Sequence, residues 1–368
     1  MDYQKQQQLT IPVVQVYLAI EEQILLNIAK RLKEHKSLLT EDDIHSWESL
    51  KLAELGSLTQ ANIITIAKHS GLAIDAISKM LQKAGYSTAE EFEDDLQEAV
   101  RQGALINPPP AIADSTVLSG ILAAYQAQAQ DIFNLVNTTM LGQAEQAYID
   151  VINQTVGKVL TGVSTPQEAL REAAEMWAEK GIPALVDKAG RKWSTEAYIN
   201  MVTRSMVSKV SNEMQTARFQ EYGVDLVEIS SHADSRPSHI PFQGNIYSIS
   251  GQSAKYPPLS VTGYGTIEGI GGINCRHVLY PYIEGLSVKR FPKYDESETK
   301  RRYAESQKQR YLERRIRQAK REKAMLEAMG DEEGARKAAA KVRERQAVIR
   351  EFIKRTKRTR RYDREQIV

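Results

Sequence analysis

The sequence predicts a mainly α protein. It divides into multi-helix N-terminal and central regions, a small loop-rich α+β subdomain and a charged helical hairpin at the C-terminus. Three observations carry this reading. Apolar residues recur at helical spacing as far as Tyr222. Gly, Pro and short β-type runs then concentrate between 224 and 290. Beyond 295 the chain is dense in Lys, Arg and Glu with a narrow apolar seam. The predicted regions are 1–107, 111–223, 224–290 and 295–368. A chain of 368 residues is also longer than the ~250 residues at which a single core usually stops growing. Its 42% hydrophobic and 26% charged residues match a folded chain and exclude a disordered one.

In the first region Val14, Tyr17, Leu18, Leu25, Ile28, Ala29 and Leu32 form a helical stripe. Residues 13–26 are apolar-rich, but Gln15, Glu21, Glu22 and Gln23 interrupt them, and the run is too short to span a bilayer. The first residues lack the apolar core of a signal peptide. No membrane partner is therefore expected. Thr40 followed by Glu41, Asp42 and Asp43 suits a helix start. Residues 59–68, 73–84 and 88–101 read as three helices separated by Ser70-Gly71 and Gly85-Tyr86. Asn107-Pro108-Pro109-Pro110 ends the pattern as a linker.

The central region opens with a helical block at 115–160, with Gly142 and Gly157 as points of interruption. Thr165-Pro166-Gln167-Glu168 combines a cap, a first-turn proline and an acid, so a helix should follow and stop at Gly181. Ser194 or Thr195 should cap the next helix, which runs through Met206 and Val210 to Gly223. Val224 to Ile229 then reads as a strand, with a second at 277–282. Residues 297–329 and 335–353 form the two helices of the hairpin, joined by a turn at 330–334.

Cys275 is the single cysteine, which excludes an intrachain disulfide and points to folding in a reducing cytoplasm. Between Ser230 and Gly285 the chain gathers Cys275 with three of its six histidines. His239, Cys275 and His277, with His232 as a fourth, supply nitrogen and sulfur ligands suited to structural zinc. A small subdomain with few apolar residues would profit from such a staple. The same residues equally suit hydrogen bonding in a glycine-rich loop, since Cys275 and His277 lack the usual CxxC spacing. A catalytic reading would use His232, Asp234 and His239 with Cys275 as nucleophile. The sequence contains no GxSxG elbow and no HExxH helix, and the glycine run at 263–272 lacks the Lys-Ser or Lys-Thr of a phosphate loop.

Ordered along the chain stand Gly190-Arg191-Lys192-Trp193, Arg204, His232, Asp234, Arg236-Pro237, Gln243-Gly244, Asn274-Cys275-Arg276-His277 and Pro281-Tyr282. This series resembles the phage minor capsid protein 2 family, a relative of the head morphogenesis proteins encoded beside the portal. Ile20-Glu21, the stretch 47–55 and Tyr362 to Gln366 extend the resemblance over nearly the whole chain. Many relatives carry Cys-x-x-Cys where this chain has Arg236-Pro237-Ser238-His239, so only His239 remains as a ligand from that pair. The resemblance implies a structural, non-enzymatic minor head protein of the virion, assembled in the host cytoplasm. It implies association with the portal or major capsid protein and contact with, or passage alongside, the genome. The alternatives are a metal-dependent DNA-acting enzyme and a DNA-binding protein with no virion role.

The charge distribution bears on the genome. Residues 295–368 hold 24 Lys/Arg against 14 Asp/Glu, a net of +10, while the remainder holds 25 against 33, a net of −8. Lys354, Arg355, Lys357, Arg358, Arg360 and Arg361 place six cations within eight residues. They suit salt-sensitive contact with packaged DNA, or equally a solvated helix end where cations favour the dipole.

Overall fold

The computed structural model describes residues 3–105 and 108–367. Among them are the helices α1 (Tyr3–Lys33), α2 (Ile44–Ala53), α3 (Leu55–Glu90), α4 (Glu93–Arg101), α5 (Thr116–Leu160), α6 (Pro166–Lys180), α7 (Thr195–Glu221), α8 (Glu296–Met329) and α9 (Glu332–Thr356). The strands are β1 (Pro183–Val186), β2 (Lys192–Ser194), β3 (Leu226–Ile229), β4 (Ile246–Ser248) and β5 (Leu279–Pro281). The chain is mainly α with a small β region, as its patterning predicts.

Several boundaries differ from the sequence reading. The expected helices at 59–68, 73–84 and 88–101 are instead one continuous α3 followed by α4. An interior glycine costs only ~1 kcal/mol relative to alanine, which packing can override. Gly85 has a positive reason to be there: a Cβ would run into the Met214 sulfur of α7. Gly142 and Gly157 likewise do not interrupt α5. Asp43, not Thr40, is the residue before α2, and Thr40 Oγ1 accepts from the Asp43 N–H at 3.1 Å in the preceding turn. The apolar run at 13–26 belongs to a helix long and apolar enough to cross a membrane by length and composition, so it is not too short. Its Tyr17, Ile20, Ile24, Leu25, Ile28 and Leu32 are buried in the protein beside a buried Glu21, as in a core helix. The expected linker starts at Asn107, which lies outside the described residues.

Contacts group the chain into two compact units, each built from three separate stretches. The first takes the described residues of Met1–Val14, Ile74–Ile132 and Asn200–Ser306. Its sheet has the order β4-β3-β5, both pairings antiparallel, with Val227 opposite Tyr247 on one side and Pro281 on the other. Val227, Ile229, Tyr247 and Leu279 pack with Phe92, the residue before α4, with Leu96 of α4 and with Phe219, Tyr222, Leu259 and Ile270. The loop-rich segment is thus not poor in apolar support. Its short strands borrow a core from α4 and the end of α7, because three strands of three or four residues cannot bury one alone. Buried Glu228 accepts the backbone N–H groups of Arg290 and Phe291 at 2.8 and 2.9 Å, tying the segment after β5 to the sheet.

The second unit takes Gln15–Ala73, Phe133–Ile199 and the described residues of Gln307–Val368. Trp47, Tyr17, Tyr148 and Phe133 fill its interior, and Tyr17 stacks on Phe133. Lys51 is fully buried and donates to the Arg31 carbonyl at 2.6 Å and to Glu54 at 3.1 Å. Helix α6 has the capping box that Thr165 and Glu168 predict, and ends at Gly181. Leu312 and Ile316 of α8 meet Ile349 and Phe352 of α9 along the expected hairpin seam.

Candidate metal centre

The first unit brings His239, Cys275 and His277 together. His239 ends the short 3-10 turn Pro237–His239, which Pro237 opens with its preset φ. Cys275 and His277 leave the glycine run just before β5. Asn274 turns this segment with a left-handed φ of 56° and donates its N–H to Ser205 Oγ of α7 at 3.3 Å. Gly272 lets the run fold tightly, since a Cβ there would strike the carbonyl oxygens of Thr266, Ile267 and Gly269.

The three ligand atoms lie within 4.8 Å of one another, and all three residues are buried. Cys275 Sγ is 3.5 Å from His277 Nδ1 and 3.8 Å from His239 Nδ1. A tetrahedral zinc with bonds of ~2.3 Å to sulfur and ~2.0–2.1 Å to nitrogen separates those ligand atoms by about 3.5 Å. The two sulfur–nitrogen distances therefore fit three of the four ligands of such a site, and no fourth His, Cys, Asp or Glu converges with them among the described residues.

Hydrogen bonding fixes which nitrogens face inward. His239 Nε2 lies 2.8 Å from the Glu268 carbonyl oxygen. A carbonyl only accepts, so Nε2 carries the proton and Nδ1 presents a lone pair. Gln243 Oε1 accepts the His232 backbone N–H at 3.0 Å, which identifies that atom as the oxygen. The same oxygen lies 3.3 Å from His277 Nε2, so this nitrogen also donates and His277 Nδ1 also turns a lone pair inward. Two lone pairs thus face one thiol, which can offer a single proton. A cation satisfies all three groups, and outer partners that set the imidazole tautomer are the usual support of a metal ligand.

Electrostatics keep the cluster uncharged without a metal. Burial holds the His277 imidazole well below its ordinary pKa, reinforced by His232, His239, Arg276 and Arg236. Burial also lowers His239 and His232 and pushes the Cys275 thiol up. The Arg236 guanidinium, which donates to the Ile273 carbonyl at 2.9 Å, adds positive charge nearby. A thiolate at Cys275 would balance an incoming cation.

The other expected site residues frame this cluster or lie apart from it. His232 packs its ring 5.0 Å from that of His277, but its Nε2 is 2.9 Å from the Arg276 carbonyl and it is not one of the three converging residues. Asp234 accepts two bonds from Arg276 Nη1, at 3.0 and 2.9 Å. Gly244 has φ 64°, and a Cβ there would meet Ser231 Oγ at 2.8 Å and the Phe291 carbonyl at 3.1 Å. Pro281 pairs with Val227 in the sheet. Arg204 Nη2 donates to Asn200 Oδ1 at 2.9 Å within α7. Gly190, Arg191 and Trp193 belong to the second unit, in the β1–β2 hairpin that sequence patterning misses. There Asp187 accepts from Arg191 Nε at 2.7 Å and from Trp193 Nε1 at 3.2 Å.

The basic run at 354–361 divides in two. Arg361 donates to both carboxylate oxygens of Glu313, at 2.8 and 2.9 Å, and Arg360 to both of Glu365 at 2.6 Å. Arg358 donates to Gln309 at 2.8 Å. Lys354, Arg355 and Lys357 are exposed. A second possible ligand group, Glu34, His35 and Glu54, was not singled out from sequence and sits toward the surface.

The profile of the phage minor capsid protein 2 family matches residues 1–354. A structural protein of Lactococcus phage LL-H is 32% identical over 367 residues, covering 95% of this chain and 97% of that protein. A structural protein of Lactococcus phage mv4 is 42% identical over 114 residues, covering 31% of this chain and 93% of that protein. No solved structure matches.

Proposed function

We propose that this chain, which belongs to the phage minor capsid protein 2 family, is a minor structural component of the phage head that joins the portal or inner capsid during assembly. The match across residues 1–354 carries this reading. The role is structural, and binding performs it without a bond being made or broken. The near-complete burial of His239, Cys275 and His277, at 2, 5 and 2% exposure, supports it, because a hydrolytic centre needs room for substrate and water.

Within that role His239, Cys275 and His277 hold a structural zinc, which fastens the glycine run to the turn at Pro237–His239. The metal supplies a fixed cation to the two inward lone pairs and the thiolate. Gln243 and the Glu268 carbonyl orient the imidazoles. Contact with packaged DNA falls to the basic C-terminal region, where Lys354, Arg355 and Lys357 are the exposed members of the run at 354–361.

Mass spectrometry of purified virions and of heads separated from tails tests the role. The chain should be present in both at low copy relative to the major capsid protein. Its absence from heads overturns the reading. Elemental analysis of the purified full chain tests the metal and should give near-stoichiometric zinc that Cys275→Ala and His277→Ala both lose. Zinc-free protein whose thermal unfolding ignores both chelator and added zinc excludes the metal.

A further inference from the structure

Helix α9 carries eight basic residues, and they fall into two sets. Lys337 pairs with Glu333, Lys341 with Glu322, Arg345 donates to the Arg315 carbonyl, and Arg355 lies over the Phe352 ring. The others, Arg336, Arg343, Arg350 and Lys354, are all exposed and have no acidic partner among the described residues. At 3.6 residues per turn these four fall within roughly 40° of one another and span about 27 Å of helix. Their stripe also contains Ala340 and Ala347, both exposed, and no acid lies on it between Arg336 and Lys354. Arg336 and Arg343 also border the shallow groove against α8, which is of mixed charge, with Lys320, Lys323 and Glu327 on the other side and Asp331 and Glu332 at its Arg336 end, so the strip proper is the outer face of α9.

We propose that this face of α9 is a docking strip for the phosphate backbone of duplex DNA, read without regard to base sequence. The proposal rests on the reading above that the chain contacts the packaged genome, and it assigns that contact chiefly to the outer face of α9, to which the run at 354–361 contributes only Lys354. A straight row of one sign, with alanines between the cations, lets a stiff polyanion lie close along the helix. Duplex DNA offers a charge every ~1.7 Å of its axis, so each cation finds a phosphate in any register. An acidic protein partner fits less well, because the strip lacks the aromatic or Met anchors on which protein interfaces centre.

The test uses the full chain and a fluorescent random-sequence duplex, titrated by anisotropy across a series of monovalent salt concentrations. Four phosphate contacts contribute about −3.6 to the slope of log K against log salt, which is about 150-fold in affinity over a fourfold rise in salt. The quadruple variant Arg336→Gln, Arg343→Gln, Arg350→Gln and Lys354→Gln should lose that part of the slope. Circular dichroism should show its helix content unchanged, since Gln is a good helix former. The pair Arg355→Gln and Lys357→Gln should keep most of the slope. If wild-type protein binds DNA and the quadruple variant keeps the full slope, the strip is refuted while genome contact stands. If wild-type protein shows no salt-dependent DNA binding, both fall. Tighter binding to poly-glutamate than to duplex at equal salt overturns the DNA assignment in favour of an acidic protein surface.

Discussion

Replacing Arg218 with Met probes the joint on which the first unit's small sheet rests. Arg218 is fully buried at the end of α7. It donates to Glu93 Oε2 at 2.9 Å and also to Glu93 Oε1, to Glu221 at 2.7 Å and to the Pro110 carbonyl at 2.9 Å. It therefore holds α4, α7 and the segment before α5 at one point. Met keeps much of the stem's volume but strips the guanidinium from two carboxylates and a carbonyl, leaving Glu93 with Tyr222 and Glu221 with Ser115 as neutral donors. Removing one partner of a buried pair costs about 3–5 kcal/mol. Glu93 and Glu221 retain 16 and 18% exposure and can partly rehydrate, so the low end, about 3 kcal/mol, is expected. Burial pushes the Glu93 carboxyl up, but hydrogen bonds from Arg218 and Tyr222 outweigh it and hold the group below its ordinary pKa. A lowered acid contributes its full stability above the unfolded pKa of ~4.3 and loses it as pH falls through the folded value. In the variant the Arg218 share of this lowering is gone, while the Tyr222 hydrogen bond remains. The gap between wild type and variant should thus be widest at neutral pH and narrow in acid. Urea denaturation followed by circular dichroism at neutral pH and near pH ~3.5 measures both, with hydrogen exchange reporting α4 and α7 directly. A loss under ~1 kcal/mol at neutral pH, or one undiminished in acid, refutes the argument.

Two further outcomes follow from the candidate centre. Gly272→Ala drives a Cβ into three backbone carbonyls that cannot rotate away, so the glycine run must open. A loss of about 2 kcal/mol or more is expected, with faster proteolysis at 263–272, and wild-type stability would contradict the packing described. His232, His239 and His277 are all held below their ordinary pKa by burial. Metal-free protein should therefore be most stable above pH ~6.5 and weaken as pH falls below it, since the unfolded chain takes up protons that the folded cluster refuses. Denaturation of the chelated protein on either side of that pH checks the sign, and stability that rises on acidification would be inconsistent with buried neutral imidazoles.

Long helices were legible wherever caps and periodicity agreed, as at Thr165 to Gly181 and in the α8–α9 hairpin. Glycine misled at 71 and 85, because the sequence cannot show that Gly85 faces Met214 across a close helix contact. Strands β1, β2 and β4 escaped notice because three or four residues such as Ile246-Tyr247-Ser248 are too few to establish a period. At the centre, residue types marked His239, Cys275 and His277 as candidate ligands. Nothing in sequence distinguishes His232, whose nitrogen is occupied by a backbone carbonyl. Gln243 stood out only as part of a motif, and its hold on the His277 tautomer depends on a contact across 34 residues. In the basic run, the acids that occupy Arg361 and Arg360 are Glu313 and Glu365. Glu313 is 48 residues away, beyond the reach of local charge patterning.

The discontinuous make-up of the two units also sets a timetable for synthesis. The second unit begins with Gln15–Ala73 but is closed by residues of Gln307–Val368. At roughly 5–20 residues per second, its first helices wait about 15–60 s on the ribosome before their last partners emerge. For that interval Ile24, Ile28, Leu32 and Trp47, all buried in the finished protein, are without their full cover. Slower elongation lengthens that exposure. Truncated forms should be lost to aggregation, leaving the completed chain as the form that accumulates.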